Sequence, residues 1–178
     1  MITSEPIIEA FVWVWLPEVT KPVVAGKLQA IGDTLQFNYG KSYLERVDGS
    51  HPAIALSPEE LPLQSGLLPL LAGLNMPGCL RDAAPDAWGR RVIMNRLLGS
   101  KGSNADTAEL QELTYLLFSG SDRIGAFDFP QSPTEYQPRS AENASLEELL
   151  ESAERVQKGI PLQPELDQAL LHGSSIGG

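Results

Sequence analysis

Cysteine and histidine are nearly missing from this chain. There is one cysteine, Cys79, so no internal disulfide can form, which fits a reducing compartment. The two histidines, His51 and His172, fall in a loop and at a helix end. Neither has a carboxylate or thiol neighbour at ligand spacing, so no metal site is expected. Basic residues are also scarce, with 13 Lys and Arg against 23 Asp and Glu and a net charge of −10. That excludes a general nucleic-acid binder, which needs a basic face to displace counterions. Long apolar runs are absent too. The run FVWVWL at 11–16 is far short of the roughly 18 residues that a membrane helix needs. The start of the chain has no basic segment followed by a long apolar one, so no secretory signal is expected and the chain reads as cytoplasmic. Neither a G-x-S-x-G elbow nor a complete Walker A loop occurs.

What remains is the composition of a globular protein, 42% apolar and 20% charged, enough for one domain or one domain and part of a second. Its charge is uneven. Five of the 13 bases lie between Arg81 and Lys101, while from Pro133 onward there are eight acids and three bases. The basic stretch, LRDAAPDAWGRRVIMNRLLG at 80–99, is the best-specified part of the chain. Pro85 and Asp86 suit a first helical turn, where a missing N–H costs nothing and the helix dipole favours negative charge. Gly99 suits a stop. The expected helix is about fourteen residues long, with Trp88 and Val92 in one apolar row and Ala87, Met94, Leu97 and Leu98 in another. Arg90, Arg91 and Arg96 are left for the opposite side, either as a solvated face or as a surface for an acidic partner. The apolar rows read as the seam joining a sheet to helices.

Before this helix, 7–16, 23–31 and 34–39 read as strands, rich in β-branched and aromatic residues or alternating in polarity. Gly26 marks a bulge or a close approach. Residues 42–47 and 53–56 extend the meander, and 64–74 has helical spacing broken by Pro69 and two glycines. After it, Asp106 and Glu109 have capping-box spacing ahead of a helix through Leu110, Leu113, Leu116 and Leu117, and 124–129 reads as a strand. A proline-bearing linker follows. Ser145 and Glu148 then open an acidic amphipathic helix at 146–158, and Pro164 begins a last short helix. The fold class is α+β: an antiparallel sheet of short strands with packed helices, followed by a small second helical unit. The expected divisions are 1–130, 131–144 and 145–178.

Two features invite chemistry. Cys79 is a nucleophile or, more simply, a small packed side chain. The end of the chain, Gly173, Ser174, Ser175, Ile176, Gly177 and Gly178, resembles a phosphate loop, because glycines let several backbone N–H groups approach an anion and serine hydroxyls add donors. The bland alternative is a frayed terminus.

Taken in order, FVWVWL, GKL, LQFNYG, AIALSPEELPL, APDAWGRRVIMNRL, LTYLLFSGSDRIGAFDF and HGSSIGG resemble the N-terminal region of the HipA-like serine/threonine kinase toxins. The most specific stretches are Pro85-Asp86-Ala87-Trp88-Gly89-Arg90-Arg91 and Asp122-Arg123-Ile124-Gly125-Ala126. The resemblance implies an N-terminal subdomain plus the beginning of a kinase N-lobe in a type II toxin–antitoxin system linked to persistence. It implies that Gly173 to Gly178 would cover the phosphates of ATP, with Mg²⁺, in a complete kinase, and that Ser175 matches the family's autophosphorylated serine. It also implies a helix-turn-helix antitoxin as partner, DNA contact only through that antitoxin, and a protein substrate of the translation apparatus. The family's catalytic and Mg²⁺-binding aspartates belong to a lobe that this sequence does not contain, so no catalytic residue is assigned here and tight ATP binding is not expected. Short relatives that neutralise a separate kinase provide the alternative, a stand-alone antitoxin-like binding module.

Overall fold

The computed structural model describes residues 7–46, 51–98, 106, 108, 110–121, 125–138, 146–158 and 160. The fold is α+β, with one four-stranded antiparallel sheet and five helices among the described residues. The chain divides into two compact units. A sheet unit comprises 7–83 and 125–137, and a helical unit comprises 84–124 and 138–178 together with the first six residues.

In the sheet unit the strand order is β3-β2-β1-β4. The strands are β1 (Glu9–Val14), β2 (Val23–Ile31), β3 (Thr34–Tyr39) and β4 (Phe127–Asp128). Alternation sets the faces, as period-two side chains require. Ala10, Val12 and Val14 of β1 are buried, as are Phe37 and Tyr39 of β3. A tight turn at Gly32, with φ 58°, joins β2 to β3, a conformation that costs glycine little. Both expectations for Gly26 hold. The β1–β2 register steps from Val12↔Gly26 to Trp13↔Val24, so Ala25 is the extra residue of a bulge. A Cβ on Gly26 would also collide with the Asn38 carbonyl oxygen and lie 2.8 Å from Phe37 Cζ.

The outer edge of β3 is closed by the loop that follows. Leu68 N–H donates to the Phe37 carbonyl at 2.9 Å, and Leu35 N–H donates to the Asn75 carbonyl at 2.7 Å. Residues 64–74 therefore form no helix. Leu68 is buried while Leu63, Leu67 and Leu71 are exposed. Residues 53–56 likewise form no strand. They are held by two tyrosines. Tyr39 Oη donates to the Leu61 carbonyl at 2.6 Å and accepts from Leu56 N–H at 2.9 Å, and Tyr43 Oη donates to the Ile54 carbonyl at 2.9 Å. The expected strand at 42–47 is instead one helical turn, α1 (Lys41–Leu44), which stacks Tyr43 on Tyr39 with ring planes 4° apart. A second single turn, α2 (Gly78–Arg81), begins where the Glu60 carboxylate accepts from Cys79 N–H at 3.2 Å. The expected strand at 124–129 shrinks to the two residues of β4, paired with Trp13 and Val14.

The helical unit contains α3 (Ala87–Leu98), α4 (Glu112–Phe118) and α5 (Leu146–Gln157). Four consecutive α3 residues, Val92, Ile93, Met94 and Asn95, are buried, so the helix is covered round most of its girth. Its seam is helix on helix. Val92 packs with Val156 of α5 and with Trp88, and Ile93 and Met94 pack with Tyr115 of α4 and with Leu97 and Leu98. That corrects the expectation of a sheet–helix seam for these residues. Asn95 Nδ2 donates to the Ile160 carbonyl at 3.1 Å, which satisfies a polar group inside the unit. Helix α4 starts at Glu112, with Gln111 as its N-cap, rather than after Asp106. Asp106 Oδ1 instead accepts from Ala108 N–H at 2.9 Å, a local turn. Ser145 and the side chain of Glu148 lie outside the described residues, as do Gly99 and the last helix expected after Pro164.

Candidate functional site

The stretch that reads most specifically in the sequence, 85–91, is built from mutually supporting contacts at the start of α3. Asp86 lies just before the helix, not within its first turn, and Pro85 precedes it. Asp86 Oδ1 accepts from Gly89 N–H at 2.8 Å while its carbonyl accepts from Arg90 N–H at 2.9 Å, the two bonds that an N-cap makes. Trp88 packs on Val92. Arg90 turns away from solvent. Its Nη1 and Nη2 donate to Glu112 Oε1 and Oε2 at 2.6 and 2.8 Å, and its Nε donates to the Pro85 carbonyl at 3.1 Å. The guanidinium also lies 4.6 Å from the centre of the Tyr115 ring, within cation–π range. The hydrogen bonds that Arg90 donates to Glu112, opposed by partial burial, hold the Arg90 pKa above its ordinary value.

The three arginines are thus unequal. Arg90 ties α3 to the start of α4, whereas Arg91 and Arg96 are exposed. Any charged surface that this helix offers is carried by the latter two. Glu112 and Tyr115, which fix Arg90, carried no local signal in the sequence. They lie 22 and 25 positions away, and Arg90 shares its helix with Arg91 and Arg96, so nothing local marks it as the one that pairs with an acid.

Cys79 is half-buried beside Glu60. Burial, reinforced by the Glu60 charge, pushes its thiol up to about 11, so it is protonated at neutral pH and is a poor nucleophile. His51 lies in the loop held by Arg46, whose Nη2 donates to the His51 carbonyl at 3.3 Å. Among the described residues no group of three or more His, Cys, Asp or Glu could hold a metal ion, and no helix is long and apolar enough to cross a membrane. Asp122, Arg123 and Ile124 lie outside the described residues. So do His172 and the whole glycine-rich stretch Gly173, Ser174, Ser175, Ile176, Gly177 and Gly178. Of the second specific stretch, Gly125 is described and takes φ 110°, a conformation that glycine alone adopts easily.

Another cluster stands on the outer face of β1. Asp128 is fully buried, its Oδ1 accepting from Phe129 N–H at 2.7 Å and its Oδ2 from Tyr136 Oη at 2.9 Å. The Tyr136 ring lies 5.4 Å from Trp13 and 5.3 Å, edge-on, from Trp15. Sequence spacing gave no notice of this cluster.

Comparison with known proteins adds one finding. No curated protein and no solved structure matches the chain significantly. The family model described as the HipA N-terminal domain matches residues 14–130, which takes in the last residue of β1, all of β2, β3 and β4, the first four helices, the Asp86 cap and the Arg90–Glu112 pair. The match covers well over half of the 178 residues, and with the ordered motifs and the α+β fold it shows that this chain belongs to the HipA N-terminal domain family.

Proposed function

We propose that this chain is the N-terminal part of a HipA-like toxin kinase of a type II toxin–antitoxin system, one that phosphorylates a protein on serine or threonine when complete. The observation that carries this reading is the family match over 14–130, followed in the same chain by HGSSIGG at 172–178. The donor set of that stretch suits phosphate: three glycine N–H groups able to approach closely, plus two serine hydroxyls. ATP with Mg²⁺ would supply the transferable phosphoryl group. The residues of this chain would bind and orient its phosphates through Gly173, Ser174, Ser175, Ile176, Gly177 and Gly178. Phosphate on Ser175 would add about −1.5 to −2 charges, oppose a nearby triphosphate and switch the loop off. Arg91, exposed on α3, is the base that would face an acidic partner, with a helix-turn-helix antitoxin as the expected one, any contact with DNA through it, and the cytoplasm as the setting.

The test is phosphoryl transfer by the complete natural gene product. Incubation with ATP and Mg²⁺ should place phosphate on Ser175, visible by mass spectrometry and lost in Ser175→Ala. No nucleotide affinity and no phosphate incorporation in that product would overturn the kinase reading. A second reading starts from the matched domain, 14–130, taken by itself. On that reading the chain is a binding module that neutralises a separate kinase. Co-purification with such a kinase, together with its inhibition, would establish it.

A further inference from the structure

The loop after β3 closes one edge of the sheet, while part of the other stays open. Along β1 the backbone alternates sides. Ala30 N–H donates to the Ile8 carbonyl at 2.8 Å, so Ile8, Ala10 and Val12 turn their N–H and C=O groups toward β2. Glu9, Phe11, Trp13 and Trp15 turn theirs the other way. There Trp13 pairs with Asp128, and Trp15 N–H donates to the Ala126 carbonyl at 3.0 Å. Beyond Asp128 the lane is not continued: Phe129 N–H is taken by the Asp128 side chain, and Pro130 has no N–H to give. The outward backbone groups of Glu9 and Phe11 have no partner among the described residues. The apolar face runs out at the same place. Ala10, Leu28 and Phe37 form one rung across the core face and are 1%, 0% and 0% exposed. The next rung on that face is Ile8, Ala30 and Leu35. Ile8 is 63% exposed, Ala30 is exposed and Leu35 is half-buried. Open backbone and an uncovered apolar rung therefore meet at the start of β1.

We propose that residues 9–11 are a docking edge for an extended segment of another protein, which adds a short antiparallel strand in the lane and direction of β4. An unpaired edge is a template for a further strand: main-chain bonds hold the addition and alternate side chains select it. The two faces set the chemistry of the segment. Its side chains opposite Glu9 and Phe11 stand on the outer face, beside the half-exposed Glu9 carboxylate that Lys27 Nζ holds at 3.1 Å, in a chain of net charge −10, so a basic residue suits that side. Its side chain opposite Ile8 stands on the core face, where an apolar residue extends the open rung. A second copy of this chain fits poorly. Paired about Glu9, two copies set their Glu9 carboxylates face to face. Paired about Ala10, they drive a second Ile8 toward the place beside Val12 where Phe129 follows Asp128.

Amide hydrogen exchange on the full chain reads this edge directly. In the free chain the Glu9 and Phe11 amides should exchange fast and those of Ala10 and Val12 slowly, an alternation that a covered edge would not show. The probe is a six-residue peptide of alternating lysine and valine, blocked at both ends. At saturation it should slow exchange at Glu9 and Phe11 by about tenfold or more, the effect of one or two net hydrogen bonds. In the added strand the lysine amides face Glu9 and Phe11, and the valine amides face away. A twin N-methylated on its lysine amides should therefore give no protection, and one N-methylated on its valine amides should protect as the plain peptide does. Ile8→Ser should weaken binding of the plain peptide and leave thermal unfolding unchanged. The proposal is overturned if Glu9 and Phe11 are as protected as Ala10 and Val12 in the free chain, or if they gain protection as the chain is concentrated without peptide. It is equally overturned if the plain peptide protects neither amide, if the two twins act alike, or if Ile8→Ser binds as tightly. The free-chain alternation and the twins decide the matter even where the variant folds poorly.

Discussion

Removing Arg90 should cost far more than its place on a basic helix suggests, and Glu112 should be the reason. The pair is bidentate, with bonds of 2.6 and 2.8 Å, and the two side chains are 21% and 33% exposed. Exposed ion pairs contribute about 0.2–1 kcal/mol, whereas hydrogen bonds to charged groups contribute about 1.5–3 kcal/mol. The Coulomb attraction at about 4 Å and an effective dielectric near 20 is about 4 kcal/mol, and desolvation of both groups offsets much of it. A coupling energy of about 2 kcal/mol is expected from the cycle Arg90→Ala, Glu112→Ala and the double variant. Arg90→Ala alone should cost about 3 kcal/mol, because it also gives up the Tyr115 ring, worth about 1 kcal/mol. Arg90→Lys should recover the charge but not the fork, and should still cost about 1–2 kcal/mol. The readout is urea unfolding followed by circular dichroism at the helical minimum, which reports mainly on α3, α4 and α5. Arg91→Ala is the control, expected within about 0.5 kcal/mol of the unsubstituted chain. A coupling energy below about 0.5 kcal/mol would refute the reasoning and return Arg90 to the solvated face.

Three further outcomes rest on backbone and titration. Gly26→Ala should destabilise the sheet unit by more than about 4 kcal/mol, since the new Cβ meets the Asn38 carbonyl and lies 2.9 Å from Tyr39 Cα, neither of which can move freely; thermal melting would show it. Glu18, in the turn after β1, holds φ 62°, so Glu18→Gly should stabilise by about 1 kcal/mol, read as a higher urea midpoint at unchanged slope. Cys79 should react slowly with a thiol reagent at pH 8, and its thiolate absorbance should rise near pH 11 rather than 9. Its folded pKa lies above its unfolded one. The stability this contributes is therefore complete below pH 9 and is lost as pH rises from 9 to 11.

The strands β1, β2 and β3 were legible because their signal is local: alternation, β-branched residues and a Gly32 turn lie within consecutive residues. The helices α3 and α5 were legible for the same reason. Elements fixed by distant partners were not. A single helical turn at 41–44 sits where Tyr43 Oη reaches the Ile54 carbonyl, 11 positions away, and one at 78–81 forms where Glu60 reaches the Cys79 N–H, 19 positions away. Residues 64–74 carry helical spacing, yet β3 has an open edge to satisfy, and Leu67 and Leu68 lend it their backbone. The same limit governs the sites. The start of α3 was expected about two residues early, because Pro85 and Asp86 suit a first helical turn as well as they suit the cap that Asp86 forms. The acid for Arg90 and the carboxylate for Tyr136 were invisible, because a salt bridge or a buried hydrogen bond leaves no periodic mark.

The meeting of Glu60 and Gly78 constrains how these two positions can change over generations. A Cβ at position 78 would lie 2.7 Å from Glu60 Oε1, the far end of a flexible side chain, so alanine there would displace the carboxylate from the start of α2 rather than break the backbone. With Glu60 in place, what alanine gains over glycine through its smaller loss of backbone entropy is set against the loss of that carboxylate's bond to Cys79. With a small residue at 60, the same change turns favourable. The sign of a substitution at one site thus depends on the other, and a lineage that loses the acid first has a downhill path to alanine which one that keeps it does not.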